Sequence, residues 1–85
     1  AEALALKALA IQKELAAERP DSFELSEDLA RSYCSLGHAL TATGRILEGE
    51  ASFRQARSLR EVLVVAMPEL PRYRDGLARV HLELA

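Results

Sequence analysis

Cys34 and His38 stand four residues apart, with Ser35 between them. Residues four apart share one face of a helix, so a thiol and an imidazole could reach one metal ion or one reacting atom. Metal chemistry asks for more than that. Structural zinc takes four ligands and catalytic zinc usually three. The other candidates, His81 and Glu83, lie two residues apart and cannot share a helical face. Neither a metal nor a cofactor is therefore expected. Nucleophilic chemistry at Cys34 needs a local base and an enclosed pocket. Glu27-Asp28 and the pair Glu48 and Glu50 read as solvated charges rather than an acid–base couple. Gly37, Gly44, Gly49 and Gly76 are dispersed, so no glycine loop is present to cradle phosphate.

Composition narrows the classes further. Ala and Leu dominate, both strong helix formers, while β-branched and aromatic residues are few. Eleven basic residues against thirteen acidic ones leave a net charge of -2, which recruits neither nucleic acid nor an anionic membrane. Aromatic residues are too scattered to stack bases. The longest apolar run, Val62 to Pro68, is far too short to span a bilayer. The single cysteine rules out a disulfide framework and suits a reducing, cytoplasmic setting. The opening residues AEALALKALA are already helical in composition and lack an initiator Met, the expectation for a chain cut or processed ahead of residue 1.

Four helices must position these side chains. The first is predicted from about Ala3 to Arg19, with Leu4, Ala8, Ile11 and Leu15 marking a buried face; it stops before Pro20. The second begins near Asp21-Ser22, where Asp21 and Glu24 resemble a capping pair, and runs to about Ala42. Phe23, Leu29, Tyr33, Leu36 and Leu40 keep its period, and Thr43-Gly44 ends it. The third runs from Ile46 to Ala66 on a face of Ile46, Phe53, Ala56, Leu59 and Leu63. Glu50–Arg54 and Arg57–Glu61 make four-apart pairs on its outside. Val62 to Val65 are apolar all round, which predicts cover on more than one side. The fourth starts between Leu70 and Arg72, with Leu77, Val80, His81 and Leu84 inward. The connections are short, so successive helices should lie antiparallel.

Sliding the chain on itself by 48 residues places Pro20 on Pro68, Leu29-Ala30-Arg31 on Leu77-Ala78-Arg79, and Ala8, Leu15 and Leu36 on Ala56, Leu63 and Leu84. A repeat of two helices per unit reads as an all-α stack of antiparallel helix pairs. Within the unit, Tyr33, Leu36-Gly37, Leu40, Gly44, Ile46, Gly49, Phe53 and Ala56 resemble the tetratricopeptide repeat pattern. Tyr33, Leu40 and Gly49 depart from the commonest residues of that pattern, and 48 residues exceed its 34. The longer unit is similar to the long-helix repeats of kinesin-light-chain-like proteins.

The resemblance implies three pieces: residues 1–19 as a second-type helix, 21–67 as a complete pair, and 70–85 as a first-type helix. It implies that Gly37 and Gly49 let two helices approach, with Tyr33, Leu40 and Phe53 filling the gap. It implies a non-catalytic scaffold whose first-type helices line a concave groove for a peptide or helix of a protein partner. Arg31, Ser35, His38, Thr41 and Arg79 are the groove residues on that reading, with Cys34, Ala42, Leu82 and Glu83 beside them. Arg31 and Arg79 are repeat-equivalent and could clamp an acidic group, or be solvated or paired with Glu27 and Asp75. The lysine/asparagine clamp of chaperone-binding members is absent, since the chain holds no asparagine. The alternative is a structural spacer or self-association segment. The terminal helices would then expose Leu82 and Leu84 at one end and the first helix's Ala, Leu and Ile side chains at the other.

Overall fold

The computed structural model describes residues 2–84; residues 1 and 85, the outermost of the pieces expected above, lie outside them. Four helices follow one another: α1 (Glu2–Glu18), α2 (Phe23–Ala42), α3 (Ile46–Ala66) and α4 (Pro71–Leu84). Each packs on its neighbours in sequence, with the α2–α3 interface the most extensive. The Cα trace measures 37 × 30 × 15 Å. Helix axes pack 8–10 Å apart, so the short dimension holds no more than two layers of helices. The fold is all-α, built of antiparallel helix pairs.

Local chemistry explains the boundaries. Pro20 sits in the first turn, and Ser22, in extended backbone, caps α2 by accepting the Leu25 N–H on Oγ at 3.3 Å. The cap is thus Ser22 rather than the expected Asp21, because the helix starts at Phe23 and the residue just before it is the one whose side chain reaches the N–H three residues on. At the other end Gly44 takes φ +84°. Arg45 N–H donates to Leu40 C=O at 2.9 Å and Gly44 N–H to Thr41 C=O at 3.1 Å, the two bonds of a Schellman cap. Pro71 opens α4, where a missing N–H leaves no bond unmade.

The α2–α3 contact is made where the two glycines face the opposite helix. Both are buried. A Cβ on Gly37 would lie 2.8 Å from the Phe53 ring. One on Gly49 would lie 2.5 Å from Thr41 Oγ1 and 3.0 Å from the Gly37 carbonyl oxygen. The rods therefore meet almost backbone to backbone, and Leu40, Phe53, Ala56 and Leu63 fill the seam around that point. Tyr33 is half-buried and packs instead with Leu9, Leu29, Leu36 and Leu40 between α1 and α2.

Two expected faces are different in the fold. In α1 it is Leu9, with Ala5, Gln12 and Ala16 partly covered, that meets α2; Leu4 is 72% and Ile11 60% exposed, and Ala8 and Leu15 are exposed too. The 48-residue register gives the reason. Leu4, Ala8, Ile11 and Leu15 fall on Ser52, Ala56, Leu59 and Leu63, the α3 face that α2 covers. Ala5, Leu9, Gln12 and Ala16 fall on Phe53, Arg57, Arg60 and Val64, of which Phe53 lies near Glu83 and Leu84 and Arg60 passes Gly76 of α4. Helix α1 thus carries two faces rich in Ala and Leu, and among the described residues it has a neighbour on one alone. Likewise Val62 and Val65 are exposed, the latter at 82%, and of that run Leu63 alone is enclosed. In α4 the buried pair is Tyr73 and Val80; Leu77 and Leu84 are half-buried and His81 is exposed. Ile46 and Phe23 also stay partly or largely in solvent.

Candidate functional site

Helices α2 and α4 run parallel because α3 returns the chain between them. They barely touch, and a seam stays open along their length with α3 as its floor. One hollow, of about 410 Å³, lies toward their N-terminal halves. Glu27 and Arg31 line it from α2, Arg72, Asp75 and Arg79 from α4, and Arg60 from α3. A second, of about 220 Å³, lies toward their C-terminal ends between His38, Thr41, Phe53 and Glu83.

Two ion pairs cross the seam. Glu27, its carboxylate largely sheltered, meets Arg72 Nε at 3.8 Å. His38 Nε2 lies 3.6 Å from a Glu83 carboxylate oxygen, a charged pair when the imidazole is protonated. The two pairs join residues at the same sequence separation, as a constant register between parallel helices requires. Pairs this long and this exposed contribute about 0–1 kcal/mol each. What holds α4 is the burial of Tyr73 and Val80 against α3, at about 1.5–3 kcal/mol for a side chain of this size. His38 also meets the Phe53 ring edge-on at 5.1 Å, which fixes its direction over the α2–α3 contact.

Arg60 reaches the seam from below. A Cβ on Gly76 would collide with Arg60 Nη1, so the guanidinium crosses α4 where that helix has no side chain. Its Nε is enclosed and has no hydrogen-bond acceptor. Cys34 lies beside it, half-buried. Burial pushes the thiol above its ordinary range, opposed by the nearby Arg60 guanidinium. A thiol kept protonated is a weak nucleophile. Among the described residues no group of three or more His, Cys, Asp or Glu side chains converges as a metal site would, and no helix is long and apolar enough to cross a membrane.

Arg31 and Arg79 border the larger hollow and His38 and Thr41 the smaller. Ser35 faces the other way, into a depression between α1 and α2 with Ala5, Ala8 and Ser32. At its position the α2 surface has already turned toward α1, whose Gln12 accepts a hydrogen bond from Ser32. Leu82 is exposed and off the seam. Arg31 pairs with Asp28 at 3.6 Å, not with Glu27, which is engaged by Arg72. Sequence reasoning missed Arg60 and Arg72. The signal for Arg60 was a charged residue interrupting the apolar period of α3, in register with Gln12, opposite the only glycine of α4.

No protein-family model, curated protein or solved structure gives a significant match to this chain. The coordinates define its class: an all-α protein of antiparallel helix pairs with a polar seam between its two parallel helices.

Proposed function

We propose that the chain is a tetratricopeptide-like interaction scaffold that holds a peptide or helix of a partner protein along the α2–α4 seam, without catalysis. The observation that carries this reading is the open seam itself. Two parallel helices stand apart over a shared floor and present side chains from both walls. The 48-residue register supports it, since Gln12, which meets Ser32 across the α1–α2 contact, falls on Arg60, which passes Gly76 of α4. An extended peptide or a helix in such a groove gains main-chain order from the walls and specificity from their side chains.

Selection of a random displayed-peptide library on the immobilised chain tests it. Selected peptides should lose at least tenfold in affinity on Thr41→Arg or Arg79→Glu, and be unaffected by Arg54→Ala on the outer face of α3. Peptides indifferent to both seam substitutions would remove the reading.

The open face of α1 favours a second reading, a segment that self-associates or spaces other parts of a larger protein. Leu4 and Ile11 lie bare on a face whose α3 counterpart is covered by a helix. Sedimentation should then show a mass that rises with concentration and returns to that of one chain with Ile11→Glu. A single-chain mass at every concentration excludes self-association.

A further inference from the structure

We propose that the larger hollow of the seam binds an acidic peptide segment, its carboxylates paired with Arg60 and Arg79 and flanked by Arg31. The proposal rests on the groove reading and names the chemistry of its occupant.

The charge distribution carries it. The whole chain is acidic, at -2. Yet Arg31, Arg60, Arg72 and Arg79 gather around one hollow of about 410 Å³, against two acids, Glu27 and Asp75, among the described residues that line it. Glu27 is already engaged by Arg72, and Arg31 has its partner Asp28 on the outer edge. Among the described residues neither Arg60 nor Arg79 has a carboxylate within ion-pairing distance. Arg60 is the more telling of the two. It is partly sheltered, with an enclosed Nε that no acceptor meets. A sheltered charge is expected to have a partner, and Arg60 lies beside the Cys34 thiol and the bare backbone of Gly76, neither of them an anion. A glutamate or aspartate of a bound segment would instead meet the part of the guanidinium that borders the hollow, and guanidinium forks take carboxylates in paired hydrogen bonds.

The geometry suits a chain segment better than a single small anion. The guanidinium of Arg79 comes from one wall, Arg31 from the other and Arg60 from the floor. The Glu27–Arg72 and His38–Glu83 pairs bridge the two walls, while the burial of Tyr73 and Val80 against α3 holds them in place. Acidic residues a few positions apart on one peptide could meet these groups together.

The test uses fluorescein-labelled repeat peptides of Glu-Ala, Ser-Ala and Lys-Ala, titrated against the intact chain by anisotropy. Alkylation of Cys34 by iodoacetamide reports from inside the seam. The Glu-Ala peptide should bind at least tenfold more tightly than the others, lose that margin as salt rises, and slow Cys34 alkylation. Arg79→Gln should weaken it about tenfold. Arg79 is exposed, so the variant keeps its fold, which circular dichroism checks. Arg60→Gln should do the same, and Arg54→Gln should not. Equal binding of all three peptides, each protecting Cys34, would overturn the acidic preference while leaving the groove intact. Glu-Ala binding that neither protects Cys34 nor responds to Arg79→Gln places the acid elsewhere on the surface and overturns the proposal. No binding by any of the three overturns it as well, and the displayed-peptide selection then decides the groove by itself.

Discussion

Valine at position 49 should destabilise the chain by about 3 kcal/mol, and alanine there should destabilise it by about 1 kcal/mol. The sign for alanine is what makes this informative. At an exposed mid-helix position, glycine to alanine gains about 1 kcal/mol from helix propensity. At Gly49 the new methyl would stand 2.5 Å from Thr41 Oγ1, which can rotate away, and 3.0 Å from the Gly37 carbonyl oxygen, which cannot. Relief requires α2 and α3 to move apart along the most extensive interface in the fold, uncovering Leu40, Phe53 and Ala56. Overpacking of that kind costs about 1–3 kcal/mol, and the γ-methyls of valine add to it. An 85-residue chain has a total stability of only about 4–13 kcal/mol. Urea unfolding followed by circular dichroism reads the change in midpoint. A Gly49→Ala variant more stable than the parent would show that the helices do not touch there.

Tyr73→Ala should cost about 3–5 kcal/mol and release α4 before the rest. Tyr73 is 2% exposed and is, with Val80, what anchors α4 to α3. The cross-seam ion pairs are too weak to replace it. An end helix with one packed neighbour is the natural first unit to open. Amide hydrogen exchange should therefore accelerate across Pro71–Leu84 while α2 and α3 keep their protection. The seam would go with α4, so peptide binding should be lost even under conditions where most of the helix signal survives. Tyr73→Phe is the control: it keeps the buried ring and removes a hydroxyl that accepts a marginal 3.5 Å hydrogen bond from Arg72. Uniform loss of protection from α1 to α4 would mean that the four helices open together.

These two residues differ in how visible they were beforehand. Gly49 could be found from sequence because it stands opposite Gly37 across a turn of known length, inside a recognisable pattern. Tyr73 was passed over. It sits in the first turn of α4, beside two arginines and two residues after a proline, and the apolar face expected for α4 began only at Leu77, although Tyr73 lies four residues before Leu77 and seven before Val80 on that face. What the α4 sequence does not carry is that α3 encloses Tyr73 more fully than Leu77. The groove residues divide the same way. Arg31 and Arg79 were found through the repeat register, and His38 and Thr41 through the spacing between packing positions. Arg60 belongs to a helix assigned to the floor and became part of the seam because Gly76 lets its side chain across.

The sequence by itself determined the four helices, their ends and their order. Those depend on interactions within a few residues: proline lacking an N–H, a serine oxygen at a helix start, a glycine able to take positive φ at Gly44. Only the tertiary structure decided which of two apolar faces on α1 is covered, which residue anchors α4, and that four arginines meet in one hollow. Each of those depends on the position of another helix, and a helix's own period is satisfied equally well by a neighbour on either side.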